Sequence, residues 1–458
     1  MKTQASISRI QLAVLCSLST GCTMLPYLII SSMLSGESQG VNFFVPVIIV
    51  YTVVRSCLVA LRGFGEIANP FRILKGGLLI ALPGALLMLL SYLCRPLLMP
   101  GALLVGIGFS PIAAMFAPIY SDLVMHDPSL KKSKGIGTII YLVLVLMAMT
   151  VGKGRIPIVA AIFLLYIICA LRILLSFDGD AMYVGRKAFV PGTRNYIYFV
   201  FGALVLLCLL VLRQYKQSGI SFLIWLAPAA VAVSTVLEII RRPNYRDFVY
   251  QTYWTGAMKN HLLVFSLLYH ASVGNSSMAV LTYVAIAVGD VLSPIIRKPL
   301  QKIIPARYFT GACMFLTIAF SLLLAVSSAA ANFIGILAAE ALCGLVSVDA
   351  AAGYMKDNRH MLLERPLTRL RVQTVGSVWE QMMVFITVYL LGKYSVHSNL
   401  LSAYATGVLN PDAGRLMRIA SLICSLLMLI AAFLITAFAK KDGHDVENEQ
   451  DETAIGGQ

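Results

Sequence analysis

Residues 97–134 read LLMPGALLVGIGFSPIAAMFAPIYSDLVMHDPSLKKSK, and this stretch decides how the rest of the chain is interpreted. It is a long apolar run, rich in glycine and proline, that closes on Tyr120 and then on a basic loop. Residues 331–371 repeat the outline as ANFIGILAAEALCGLVSVDAAAGYMKDNRHMLLERPLTRLR, with Tyr354 at the equivalent point. A chain that repeats itself after about half its length is predicted to contain two related halves.

The composition places these halves in a membrane. Hydrophobic residues make up 59% of the 458 residues and charged residues 12%, with a mean hydropathy of +0.83. A soluble domain is about half apolar and about a quarter charged. Apolar runs of about 17–25 residues predict an all-α polytopic membrane protein with fourteen transmembrane helices. These are 10–34, 41–61, 74–94, 97–120, 136–152, 156–176, 195–213, 219–239, 256–275, 278–296, 309–330, 333–355, 373–392 and 415–438.

The distribution of basic residues predicts the orientation. With a cytoplasmic N-terminus, 27 of the 36 lysines and arginines fall in inside segments, which is a strong positive-inside pattern. Both termini are therefore expected in the cytoplasm. The chain is expected to be a multi-pass protein of the plasma (inner) membrane. The same bias accounts for most of the +15 net charge, so anionic lipid headgroups are the expected partner and nucleic acid is not.

The predicted spans divide the chain into four parts. Residues 1–176 form an N-terminal six-helix half, and residues 256–439 form a C-terminal six-helix half. Between them, 177–259 holds a cytoplasmic linker, an inserted helix pair and an interfacial segment. The acidic tail 440–458 is expected to be disordered. The interfacial segment carries aromatic residues expected at headgroup depth, namely Tyr245, Tyr250, Tyr253 and Trp254.

The loop between the second and third spans carries a family resemblance. Residues 62–75, RGFGEIANPFRILK, are similar to the loop signature G-x-x-x-D-R-x-G-R-R of the major facilitator superfamily. The sequence departs from it at Asn69 and Pro70, while Arg72 and Lys75 keep the basic character. The resemblance implies two six-helix halves, and the inserted pair at 195–239 is similar to that of fourteen-helix members. The E-x-x-E-R signature of the peptide branch is absent from the first span.

Five charged residues fall inside predicted spans: Arg55, Asp290, Glu340, Asp349 and Glu380. A carboxylate at lipid depth is costly unless it is paired, protonated or hydrated. Such groups are therefore candidates for binding and releasing a proton. The alternative is that they only pair with helix-end groups or with cytoplasmic basic residues.

The resemblance assigns roles to four of these residues. Glu340 lies on the tenth core helix, which lines the central cavity in this superfamily, and is the first choice for proton or cation binding. Arg55 and Glu380 lie on core helices that face each other, so an ion pair between the halves is implied. Asp290 stands at the repeat offset from Arg55 and is implied to be its pseudo-symmetric gate residue.

Other polar residues are candidates for lining a cavity. Tyr269, His270 and Asn275 lie near the outer end of one predicted span, although a lone histidine there is more often structural. Asp349 is about half a helical turn away from Glu340 and is more consistent with a structural partner. The nine cysteines show no metal-ligand spacing, so no metal, disulfide or cofactor is expected.

These observations predict a secondary active transporter, and not an enzyme. It would move a small organic or amphipathic solute by alternating access, with H⁺ as the coupling ion; no Walker A loop indicates ATP use. A flippase for a lipid or lipid-linked sugar is the alternative within transport. A polytopic membrane enzyme or a non-transporting scaffold remains from other classes, and Asp122, His126 and Asp127 are the nearest approach to a ligand cluster.

Overall fold

The chain folds into packed α-helices. The structure is a computed structural model that describes residues 7–22, 25–26, 28–30, 44–151, 156–177, 183, 187–218, 247–273, 275–356, 363–396 and 412–455. We number its helices α1 (Arg9–Gly21), α2 (Phe44–Ala60), α3 (Pro70–Leu90), α4 (Leu98–Phe109), α5 (Ile112–His126), α6 (Ser133–Val151), α7 (Ile156–Ser176), α8 (Ile197–Ser218), α9 (Asp247–Asn260), α10 (Ser266–Ser272), α11 (Ser276–Ile303), α12 (Ala306–Ser321), α13 (Ala329–Lys356), α14 (Arg365–Leu391) and α15 (Ala413–Ile455).

The helices confirm the predicted all-α membrane class. Within the described ranges, seven helical segments are long and apolar enough to cross a membrane. They are Pro70–Leu90, Arg95–His126, Pro157–Ser176, Ala306–Ala325, Ala329–Met355, Arg365–Ser395 and Ala413–Ala437. The predicted span 219–239 lies outside the described residues, and the count of fourteen stays a prediction.

The helices pack into two groups that follow chain order. In the N-terminal bundle (α1–α7), α1 lies against α6, and α3 lies against both α4 and α7. In the C-terminal bundle (α9–α15), α13 packs against α11 and α12, and α14 packs against α9 and α15. The bundles meet where α6 contacts α11 and where α14 contacts α2 and α5.

The predicted span 97–120 lies within the segment Arg95–His126, which is divided into two helices. α4 ends at Phe109 and α5 begins at Ile112, with Pro111 at the junction. Proline has no backbone N–H and clashes with the preceding turn, so an apolar run breaks there even though both parts remain buried.

The segment around Trp254 differs from the predicted interfacial helix. α9 continues through a π-helical turn, His261–Phe265, into α10, so the helical segment begins at Asp247 instead of residue 256. Trp254 is only 1% exposed, and its indole Nε1 donates to the Met428 carbonyl across 3.2 Å. The aromatic ring fills the space between α9 and α15, which composition alone did not reveal.

The acidic tail also differs from expectation, because α15 extends to Ile455. The residues past the last apolar turn are mostly lysine, glutamate, aspartate and glutamine. Continuing an existing helix needs no new nucleus, and several of these residue types have good helix propensity.

The helices α9 and α14 cross closely, and this contact helps to position the buried polar groups. Gly256 of α9 faces the Gln373 carbonyl, and Gly376 of α14 faces the Tyr253 carbonyl. A Cβ atom at either glycine would overlap the opposing backbone oxygen. The hydroxyl of Ser377 also donates to the Gly256 carbonyl across 2.8 Å. Backbone contact is therefore possible only because both positions lack a side chain.

We predict that Gly256→Ala destabilises the folded protein by about 1–3 kcal/mol, the usual cost of overpacking. A lower melting temperature of the purified protein in detergent would show this. Gly76→Ala is the matched control, because an added methyl there meets no atom within 4 Å and alanine favours a helix. Equal melting temperatures for the two variants would contradict the predicted steric role of this crossing.

Candidate functional site

Three charged side chains from three helices converge inside the C-terminal bundle. The ammonium Nζ of Lys259, near the end of α9, lies 2.8 Å from Asp290 Oδ1 on α11. The same ammonium pairs with Glu340 Oε1 on α13. We call Lys259, Asp290 and Glu340 the charged cluster. Glu340 and Asp290 were both selected from the sequence, and the structure brings them to one cation.

Local packing brings the two acidic helices together. Gly289 precedes Asp290 on α11, and a Cβ atom there would lie 2.8 Å from the Cβ of Glu340. The missing side chain leaves the space that Glu340 occupies on α13. α9 also packs against α13, so the four-carbon stem of Lys259 reaches both carboxylates.

The three side chains of the charged cluster differ in their exposure to solvent. The side chain of Glu340 is 1% exposed, that of Lys259 is 25% exposed and that of Asp290 is 37% exposed. Two ionised carboxylates and one ammonium carry a net charge of −1. One additional cation therefore neutralises the cluster, and burial in a low-dielectric interior favours that neutral state.

A tyrosine from the other bundle lies near these charges. Tyr141 on α6 is 1% exposed and interacts electrostatically with all three residues of the charged cluster. Its helix is the one that contacts α11 across the boundary between the bundles. The cluster thus lies beside a surface where the two bundles meet.

A second buried polar group follows directly in the chain. His261 Nδ1 lies 2.8 Å from Glu380 Oε1, and Asn260 Nδ2 donates to Glu380 Oε2. His261 and Glu380 are fully buried, and the described residues offer no hydrogen-bond partner to His261 Nε2. The π-helical turn begins at His261, and such turns are frequent at functional sites because they redirect side chains.

The expected ion pair between Arg55 and Glu380 is not formed in the structure. Both residues are described, and the partners of Glu380 are Asn260 and His261. Arg55 lies in α2, which does contact α14. Matching depth in two predicted spans therefore indicated neighbouring helices but not the pairing of the side chains.

The remaining site residues that the sequence predicted take no part in the ion pairs of the charged cluster. Asp349 pairs with Arg297 Nη2 at 2.5 Å and accepts from Thr310 Oγ1 at 3.1 Å. Asn275 caps α11 by accepting from the backbone N–H of Met278. Tyr269 and His270 are both buried and form an edge-to-face ring contact with centroids 5.1 Å apart.

The sequence interpretation missed Lys259, Asn260 and His261. Lys259 was counted among the cytoplasmic basic residues because it stands at the edge of an apolar run. The available signal was the polar triplet itself, since three hydrogen-bonding residues interrupt a predicted span at its start. Two buried carboxylates elsewhere in the chain required partners, and this triplet supplies them.

The possible ligand cluster at Asp122 has other contacts. Asp122 Oδ2 accepts from the Tyr183 hydroxyl at 2.8 Å, and His126 Nδ1 lies 2.8 Å from the Asp122 backbone carbonyl. Within the part of the chain that the structure describes, no group of three or more His, Cys, Asp or Glu side chains could hold a metal ion.

A further ion pair joins the two bundles at one end. Arg62 follows α2, and its Nε lies 3.2 Å from Glu364 Oε1 at the start of α14. Arg62 Nη2 also pairs with Glu66 at 3.1 Å. Burial raises the pKa of the Glu364 carboxyl, and the Arg62 guanidinium opposes that rise. Arg62 therefore helps this largely buried carboxylate to stay charged.

Comparison with known proteins identifies the fold. No protein-family model matches the chain, and no curated protein sequence matches it. Solved structures do match over nearly the whole length. An auto-inhibited POT family peptide transporter shares 15% identity with a TM-score of 0.58, covering 95% of this chain and 96% of the other.

Two further structures agree with this match. The peptide transporter POT in complex with sulfate shares 12% identity, with a TM-score of 0.57 and coverage of 93% and 95%. The nucleoside transporter NupG shares 9% identity, with a TM-score of 0.54 and coverage of 94% and 98%. The chain therefore shares the fold of these multi-span transporter structures.

We predict that Lys259→Met destabilises the protein, because it leaves Glu340 buried beside Asp290 without a counter-charge. Removing one partner of a fully buried pair costs about 3–5 kcal/mol, and partial exposure of Lys259 lowers this figure. Thermal unfolding of the purified protein measures the effect, and the double variant Lys259→Met/Glu340→Gln should recover part of the loss.

Lys302→Met is the charge-matched control, because Lys302 is exposed in the last turn of α11. It should melt at the same temperature as the native protein. If Lys259→Met also melted unchanged, the ion pairs of the charged cluster would not contribute to stability.

Proposed function

We propose that the protein is a secondary active transporter that couples movement of a small organic solute to protons. The observation that carries the proposal is the charged cluster, which places two carboxylates and one lysine inside a transporter fold. No part of the proposal involves an enzymatic reaction. The names of the matched structures support peptides and nucleosides as the first solute classes to test.

The coupling follows from the charge of the cluster. With both carboxylates ionised, the cluster carries −1 and is stable only while Asp290 keeps its contact with solvent. Binding a proton brings the charge to zero, and a neutral cluster can be enclosed at lower cost. We infer that protonation of the cluster favours enclosure of Asp290 at the contact between α6 and α11.

Glu380 and His261 supply a second buried group that can share a proton. A neutral imidazole beside an ionised carboxylate carries −1, so one further proton shared across their 2.8 Å contact makes the pair neutral. Arg55 enters the proposal only as a cationic residue on α2, the helix that contacts α14. Tyr269, His270 and Asn275 stay candidates for the cavity wall.

The lipid flippase is less well supported than solute transport. An anionic lipid headgroup would require a basic lining, whereas the charged cluster has two acids for one base. This excess of acid favours a proton or a cationic group on the solute as the ligand. Fourteen spans, pseudo-symmetric halves, cytoplasmic termini and a plasma membrane location complete the proposal.

The test uses purified protein in liposomes that contain a pH-sensitive dye, with an inward proton gradient. Dipeptides and nucleosides are added separately outside. We expect one solute class to accelerate acidification of the vesicle lumen. Glu340→Gln should abolish that acceleration, because the amide cannot bind a proton.

Asp127→Asn is the control for this test. Asp127 is exposed and caps a short turn by accepting from the Ser129 N–H, a role that asparagine also fills. This variant should acidify like the native protein. Undiminished solute-driven acidification in Glu340→Gln would remove Glu340 from the coupling mechanism, and absence of any response to both solute classes would count against them as substrates.

A further inference from the structure

The helix α8 touches both bundles, although it comes from the insertion that lies between them in the sequence. It packs along α2 of the N-terminal bundle and also contacts α14 of the C-terminal bundle. This helix contributes no residue to the charged cluster. Its contacts nevertheless place it at the end of the molecule where Arg62 and Glu364 pair.

The segment before α8 is fixed to the N-terminal bundle by backbone hydrogen bonds. Val190 N–H donates to the Glu66 carbonyl across 2.8 Å, and Ala68 N–H donates to the Ala188 carbonyl across 3.0 Å. The Asn195 N–H donates to the Gly63 carbonyl, which also belongs to the loop that follows α2. These bonds tie residues 187–195 to the loop that follows α2.

Aromatic packing extends this attachment into α8 itself. The Phe64 ring, just after α2, meets the Phe199 ring edge-to-face with centroids 4.9 Å apart. On its other side, Phe64 stacks with Phe189 at 5.7 Å. The first turn of α8 therefore moves with the N-terminal bundle when the two bundles rotate.

Tyr198, in the same turn, reaches the other bundle. The guanidinium carbon of Arg371 on α14 lies 4.6 Å from the centre of the Tyr198 ring, and that of Arg62 lies 6.0 Å from it. Arg371 is 9% exposed, so the cation over the ring is largely desolvated. Such a contact is stronger than one in open solvent.

We propose that α8 is a latch that holds this end of the two bundles together through Tyr198 and Arg371. Two contacts then cross the boundary side by side. The Arg62–Glu364 ion pair joins the bundles directly, and the Tyr198–Arg371 contact joins them through the inserted helix. Opening this end by rotation separates both pairs, because each has one member on each side.

The chemistry of the pair explains why an aromatic residue suits a latch. A cation over a ring keeps its attraction through small sliding motions and releases without leaving an unpaired buried carboxylate. A second ion pair at this point would leave two buried charges when broken.

The latch is tested by measuring the separation of the bundles in the full-length protein without substrate. Spin labels carried on genetically encoded non-natural amino acids at Lys131 and Lys302 avoid the native cysteines. Both residues are exposed, one in the loop after α5 and one near the end of α11. Double electron–electron resonance then gives the populations of short and long distances.

Tyr198→Leu should raise the ratio of long to short distances by about three- to tenfold, the range expected for a partly buried cation–π contact. Arg371→Gln removes the same contact from the other bundle and should shift the ratio by the same factor. The double variant should shift it no further than either single variant. Tyr198→Phe keeps the ring and should match the native distribution.

The proposal is overturned if both Tyr198→Leu and Arg371→Gln leave the distances unchanged. It is equally overturned if Glu364→Gln lengthens the distances while Tyr198→Leu does not, since the ion pair alone would then hold the bundles. Because no solute or proton gradient is present, failure of the latch is distinguishable from failure of the proposed coupling.

Discussion

Lys259 is the residue on which the polar interior of this protein depends. A lone carboxylate inside an apolar helix bundle carries a large desolvation cost, and two neighbouring carboxylates also repel each other. Lys259 lies between Asp290 and Glu340, so three helices of the C-terminal bundle share one set of ion pairs. With both carboxylates ionised, the cluster keeps a net charge of −1.

The same short segment of α9 serves a second carboxylate. Asn260 and His261 follow Lys259 and turn towards Glu380, because the helix loosens into a π-helical turn at that point. The close backbone crossing of α9 and α14 brings the two helices near enough for this contact. Consecutive residues therefore contact different neighbouring helices. A regular α-helix also allows this, but it fixes the angle between consecutive side chains.

Two of the described contacts between the bundles are polar. Arg62 and Glu364 meet directly, while Tyr198 brings the inserted helix to Arg371. Both contacts have one member on each side of the boundary between the bundles, and the second includes the inserted helix.

Much of the architecture followed from the sequence. Apolar run length and low charge identified a membrane-spanning helical protein, because every backbone polar group in lipid must be satisfied within a helix or a closed barrel. Intramembrane carboxylates such as Glu340 stood out for the same energetic reason. The comparisons show that the chain shares the fold of solved transporter structures, while the match of the 62–75 loop to the family signature stays a prediction.

Only the tertiary structure decided the partners of those charges. The sequence predicted Lys259 to be a cytoplasmic basic residue because it stands at the edge of an apolar run. It predicted Trp254 to be a headgroup anchor because it is an aromatic residue of a segment rich in basic residues. Hydropathy reports whether a residue can enter the membrane, but the direction of its side chain depends on which helices cross and how closely. The ion pairs of the cluster, the loss of the expected Arg55–Glu380 pair and the position of α8 all follow from those crossings.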